Sequence, residues 1–136
     1  ISGASRTSVG GYVEPEPEKD STNQFYVSDQ RTLDEVVNWL MRDGFIPSFC
    51  TACYRKGRTG DRFMSICKKG EIQNCCHPNA LMTLKEYLED YASPETKELG
   101  NALITRELDN ISTAGIREIT LRNLKSIEQG QRDFRF

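Results

Sequence analysis

Thr32-Leu33-Asp34-Glu35-Val36-Val37-Asn38-Trp39-Leu40-Met41-Arg42-Asp43-Gly44 carries the clearest fold signal in the chain. Thr32 and Glu35 have capping-box spacing, in which each side chain satisfies the other residue's backbone N–H. Leu33, Val36, Val37, Leu40 and Met41 then recur at helical period, and Gly44 supplies a stop. The stretch reads as an amphipathic helix. A helix with one apolar stripe needs other elements to cover it.

Toward the C-terminus the same signals repeat. Thr83 with Glu86 predicts the opening of a second helix, with Leu84, Tyr87, Leu88 and Tyr91 on its stripe. Ser93-Pro94 predicts a third, with proline at its tolerated first-turn position. Leu99, Ala102, Leu103, Ile104 and Leu108 are candidates for its buried face. A fourth is expected from about Thr113 to Gln129, with Ile116, Ile119, Leu124 and Ile127 inward and Gly130 behind it. The expected fold class is therefore mainly α (α+β), and no repeat or heptad suggests a solenoid or coiled coil.

Toward the N-terminus the pattern changes. Residues 1–12 are small and rich in glycine and serine, and read as a short strand running into a tight loop. Residues 13–30 contain Glu14-Pro15-Glu16-Pro17-Glu18-Lys19-Asp20, expected to be an exposed acidic connection. A lone strand has no sheet to join. Either it pairs elsewhere in this chain or its neighbours belong to a missing N-terminal part. The opening Ile1, in place of Met, also reads as the start of a processed or cleaved piece.

The 136 residues suffice for one ordinary domain. They fall far short of the roughly 250 that a complete TIM barrel needs. No apolar run is long enough to span a membrane. The net charge of −2 argues against a nucleic-acid-binding domain, which is usually basic. The charge is uneven, however. Residues 50–76 carry an excess of four positive charges, from Arg55, Lys56, Arg58, Arg62, Lys68 and Lys69 against Asp61 and Glu71.

That basic stretch holds all five cysteines: Cys50, Cys53, Cys67, Cys75 and Cys76. An odd, clustered number with an adjacent pair fits a disulfide framework poorly. No apolar leader precedes it, and the expectation is a reducing, cytoplasmic setting in which thiolates act as ligands. Cys50-Thr51-Ala52-Cys53 places two thiolates on one tight turn, and Cys76 follows Cys53 after 22 residues. Three chemistries use such a pair: a redox dithiol, half of a zinc site, or iron–sulfur ligands. The redox reading lacks the expected βαβ context. A structural zinc would draw on Cys50, Cys53, Cys76 and His77, but Cys76 and His77 are consecutive and start in diverging directions. Cys75 with His77 is the variant of that set.

The iron–sulfur reading has a physical attraction. Three thiolates leave one iron of a [4Fe–4S] cube without a cysteine, open to a small molecule. The basic side chains would offset the anionic cluster and bind an anionic substrate nearby. Each of them is individually as well explained by a solvated loop. Cys67, among Phe63, Met64 and Ile66, reads as a buried free thiol. Spacing does not choose between Cys75 and Cys76, and a structural role suits His77 as well as a chemical one.

Pro47-Ser48-Phe49-Cys50-Thr51-Ala52-Cys53-Tyr54-Arg55, then Gly57-Arg58-Thr59-Gly60 and the third cysteine, resemble the C-terminal region of the tyrosine-cleaving [FeFe]-hydrogenase maturases. The resemblance extends to Pro78-Asn79-Ala80-Leu81, Thr83-Leu84-Lys85-Glu86-Tyr87-Leu88 and the closing Gly130-Gln131-Arg132-Asp133-Phe134-Arg135-Phe136. These are radical S-adenosylmethionine enzymes. The resemblance implies a TIM barrel whose own [4Fe–4S] cluster, on CxxxCxxC, binds S-adenosylmethionine and starts the cleavage of tyrosine to the precursors of carbon monoxide and cyanide. It implies that residues 31–136 form a helical C-terminal domain for an auxiliary [4Fe–4S] cluster held by Cys50, Cys53 and Cys76. There an additional iron, bridged through a free cysteine, collects the diatomic ligands. Residues 1–12 then resemble the last barrel strand and its loop, at the end where active-site residues gather.

The departure from the family pattern is the absence of CxxxCxxC. This chain alone is expected to cleave neither S-adenosylmethionine nor tyrosine. The expected partners are the missing barrel, tyrosine and free cysteine as small molecules, and other hydrogenase maturation proteins, with no nucleic acid and no membrane. The alternative is a zinc or iron–sulfur module that only binds a partner.

Overall fold

The structure, a computed structural model, describes residues 31–136. The expected strand and loop at 1–12 and the acidic connection at 13–30 lie outside the described residues. Within them the chain forms α1 (Leu33–Arg42), α2 (Ala52–Arg55), α3 (Gly60–Lys68), α4 (Gln73–Asp90), α5 (Pro94–Leu108) and α6 (Ala114–Glu128). No strand occurs among the described residues, so the mainly α expectation holds there.

The start of α1 is capped as its sequence requires. Glu35 N–H donates to Thr32 Oγ1 (3.2 Å) and Thr32 N–H donates to Glu35 Oε2 (2.7 Å). Gly44, at φ +82°, ends it: Gly44 N–H reaches Met41 O and Phe45 N–H reaches Leu40 O, both at 3.0 Å. This is a Schellman motif, which needs a residue tolerant of the left-handed region. Ser93 caps α5 through Thr96 N–H (3.4 Å), with Pro94 at its first position.

α4 departs from the expectation. It opens at Gln73, well before Thr83, and continues through the buried Pro78. Thr83 and Glu86 therefore sit mid-helix despite their capping spacing. The Thr83 hydroxyl turns back to Asn79 O (2.9 Å) and Ala80 O (3.2 Å), a local bond open to any helical threonine.

α4 is the centre of the body, packed against α5 and α6, while α1 packs on α5. Leu81, Met82, Leu84 and Leu88 are almost wholly buried, joined by Val37 and Met41, Leu103 and Ile104, and Leu124 and Ile127. α4 and α5 approach closely at Gly100, where a Cβ would lie 2.4 Å from Leu88 Cδ1. Ala102, Ile119 and Tyr91 face solvent, although their spacing placed them inward. Thr96 and Thr120 are buried instead, and the Thr120 hydroxyl is satisfied by Ile116 O (2.7 Å).

Two polar networks fasten the body. Asp34 accepts from Ser93 N–H (3.2 Å), the Thr96 hydroxyl (3.0 Å) and the Tyr87 hydroxyl (3.3 Å). Burial opposes its charge, yet these bonds outweigh it and hold the carboxyl below its usual range. Burial and the Asp34 charge push the Tyr87 phenol up to about 12. The buried Lys85 ammonium contacts Asn101 Oδ1 (2.7 Å), Glu128 Oε1 (2.8 Å) and Glu89 Oε1 (3.0 Å), joining α4 to both neighbours.

Candidate metal centre

The extended segment after Gly44 delivers Phe49 onto α4. Its ring stacks on Tyr87, with centroids 5.0 Å apart, and its N–H donates to Thr83 Oγ1 (3.3 Å). Cys50 follows directly, and α2 begins two residues later. Ala52 is buried and seats the turn, so Cys50 and Cys53 lie half-buried on either side of it. Ala52 N–H points at Cys50 Sγ (3.4 Å). Hydrogen bonds of this kind to sulfur help tune thiolate ligands.

Cys75 and Cys76 occupy the first turn of α4. Consecutive residues on an α-helix point about 100° apart, since 3.6 residues make a turn. The Cys75 thiol folds back on Glu71 O (3.6 Å), whereas Cys76 is exposed. Burial pushes the Cys76 thiol up, and charge on Cys53, Cys75, Cys50 and Cys67 adds to the shift in that order. Cys76 thus lies within electrostatic reach of the other four thiols. Mutual repulsion among thiolates is the condition that a bound metal relieves.

Among the described residues, no three His, Cys, Asp or Glu side chains stand together as a group able to hold a metal ion. A cluster makes a weaker demand than a single ion, because its thiolates are distributed over several irons. The donor chemistry fits such a group: soft thiolates, an N–H aimed at sulfur and a basic surround. Among the basic side chains at 50–76, only Arg55 has an ion-pair partner within the described residues, Asp133 (2.5 Å). Lys56, Arg58, Arg62, Lys68 and Lys69 are left to solvent or a ligand.

His77 is placed differently. Its Nε2 is buried without a hydrogen bond and lies 3.8 Å from Glu107 Oε2 on α5. Cys67 sits on α3, which buries no residue, so it is half-buried rather than the core thiol expected from its neighbours.

A search of solved structures finds the crystal structure of HydG, a maturase of the [FeFe]-hydrogenase, at 50% identity and a TM-score of 0.79 over 83% of this chain. The chain is similar to HydG. The resemblance read in the cysteine-loop flanks is to this protein. No protein-family model and no curated protein matches the chain. The chain spans 25% of the HydG chain that it matches. No helix among the described residues is long and apolar enough to cross a membrane.

Spacing alone missed three residues around the cysteines of this HydG-like chain. Ala52 seats the turn, Asn79 is buried at 2% exposure near Cys76, and Asp133 meets Arg55 from the far end of the chain. Ala52 had a signal, a small residue between two ligand candidates. The others depend on pairings 57 and 78 residues apart, which local pattern does not encode.

Proposed function

We propose that this chain is the auxiliary-cluster region of a radical S-adenosylmethionine tyrosine lyase that serves [FeFe]-hydrogenase maturation. The observation that carries the reading is the 50% identity to HydG across most of the chain. Two half-buried thiols on one turn, with the Ala52 N–H aimed at Cys50 Sγ, support it.

Cys50, Cys53 and Cys76 hold the cluster in this reading. Cys76 is preferred to Cys75 because the latter's thiol is engaged with Glu71 O. When bound, a [4Fe–4S] cluster on these three thiolates would supply an iron open to small-molecule ligands, among them an additional iron and the carbon monoxide and cyanide of the proposed activity. The chain's own residues do the rest. Ala52 and the Phe49–Tyr87 stack orient the turn, and the unpaired cations attract anionic molecules to it. S-adenosylmethionine, tyrosine and the second cluster belong to the barrel of the whole protein, a cytoplasmic enzyme working beside other maturation proteins. In this reading residues 1–136 on their own lack lyase activity, because CxxxCxxC does not occur among them.

Anaerobic reconstitution with iron and sulfide tests this. About four irons and four sulfides per chain are expected, lost on Cys50→Ser, Cys53→Ser or Cys76→Ser and kept on Cys67→Ser. One tightly held zinc without sulfide would instead establish the structural-module alternative.

A further inference from the structure

The closing segment of the chain crosses the cysteine turn and touches both elements that carry the candidate ligands. Gly130, at φ +94°, ends α6 and turns the backbone toward α4. Arg132 then grips Asp90 with two bonds (2.9 and 2.5 Å) and gives a third to Ile127 O (2.7 Å). Asp133 follows in the left-handed region at φ +73°, a conformation aspartate tolerates better than most side chains. Its N–H donates to Glu86 Oε1 (2.7 Å), and its carboxylate binds Arg55 Nη1 (2.5 Å) and Arg135. Phe136 N–H ends the run on Oδ1 of the buried Asn79 (2.9 Å). Phe134 and Phe136 pack against the core.

The positions of the two holds matter. Arg55 lies two residues beyond Cys53, and Asn79 lies three beyond Cys76. A recess of about 90 Å³ lies between the turn and the strap, with Cys50 and Ala52 on one wall and Asp133 and Phe134 on the other. The Phe49–Tyr87 stack fixes the entry side of the turn. On its exit side, the Arg55–Asp133 pair ties the turn to the rest of the fold.

We propose that Arg132–Phe136 is a strap that keeps the Cys50–Cys53 turn closed on α4, with Asp133 as a positioning residue acting through Arg55. Each contact is partly exposed and individually weak, but one backbone carries them all. Releasing Asp133 frees α2 while Arg132 and Phe136 keep the strap itself in place. The hold is a property of the metal-free turn. Its consequence, slower loss of the cluster, rests on the function proposed above.

Residue-resolved alkylation of the metal-free full chain under anaerobic conditions tests the hold. Asp133→Asn is expected to speed alkylation of Cys50 and Cys53 about two- to five-fold, the range open to an exposed ion pair that limits local opening. Cys67 should keep its rate and the thermal midpoint should stay fixed. Arg55→Gln should give the same acceleration and add nothing to Asp133→Asn. Arg55→Lys should restore the protection, because the contact uses a single nitrogen. Unchanged rates at Cys50 and Cys53 overturn the proposal. So does equal acceleration at all five cysteines, which would make Asp133 a residue of general stability. Failure of the cluster reading shows separately, as wild-type chain that takes up no iron and sulfide while the alkylation contrast persists.

Discussion

α4 and α3 are neighbours in sequence, yet α4 buries Leu81, Met82, Leu84 and Leu88 almost completely while α3 buries no residue. The body around α4 is held by close packing and by the Asp34 and Lys85 networks. Among the described residues, the limb that carries Cys50, Cys53 and Cys67 is held by the Phe49–Tyr87 stack, the Phe49 N–H bond to Thr83, the buried Ala52 and the Arg55–Asp133 ion pair. In the body, side chains are constrained by volume. In the limb they are free to be chosen for chemistry, and apart from Arg55 the cations there have no ion-pair partner among the described residues. A limb with few buried contacts opens at a lower free energy than the body does. The metal group proposed to bind there would add stability where packing supplies least.

The sharpest way to break this contrast is to remove equivalent apolar volume from each region. Leu84→Ala should cost about 2–5 kcal/mol, from lost transfer energy and the cavity left behind. Met64→Ala on α3 should change stability by no more than about 0.5 kcal/mol, since Met64 is half-exposed. Denaturant unfolding of both variants decides it, and losses of similar size would make the limb part of the core. Next in size is Gly100→Ala. Its new methyl meets side-chain carbons of the buried Leu88 and should cost about 1–3 kcal/mol in the same denaturant unfolding.

The same contrast explains what the sequence disclosed. α1, α5 and α6 were legible because their signals are local: the Thr32 and Ser93 caps of α1 and α5, the apolar stripes, and the glycines that follow α1 and α6. α4 was only half legible: Pro78 and the cysteines masked its first turns, and Thr83 imitated a cap. Ile119, read with Leu124 and Ile127, lies five residues before Leu124 and is exposed, while Thr120, at i−4 from Leu124, takes the buried position on that face of α6. The short α2 and the unburied α3 leave no apolar stripe to read. The cysteine set was visible as a pattern, and the strap that crosses it was not. Arg55–Asp133 and Asn79–Phe136 are tertiary pairs whose members look like ordinary surface polar residues in isolation.

Asp34 offers a smaller test, confined to the body. Its carboxyl is held below its unfolded value, so the charged form contributes stability that is fully present above the unfolded value. That contribution is lost as pH falls through the folded one. Asp34→Asn should therefore cost about 1–2 kcal/mol near neutral pH, where the native carboxylate accepts three bonds. The gap to the native chain should narrow steadily as pH falls below the unfolded carboxyl value of about 4. Denaturation midpoints measured across that range check it, and a gap independent of pH would assign the loss to geometry rather than charge.

The least costly change addresses the joint between the two regions. Phe49 is 40% exposed, so its ring contributes through the stack on Tyr87 more than through burial. Phe49→Leu keeps an apolar side chain and the N–H bond to Thr83 but removes the stacked ring, a loss of about 0.5–1 kcal/mol. If the limb opens as a unit, that small loss falls on the limb alone. Amides of α2 that depend on the turn, such as Lys56 N–H to Ala52 O, should then exchange about two- to five-fold faster. Amides in the middle of α4 and α5 should keep their rates, because they exchange only when the body unfolds. Equal acceleration in both regions would mean that Phe49 belongs to the core and that turn and body open together. In that case the turn could not release its thiols without unfolding the fold that presents them.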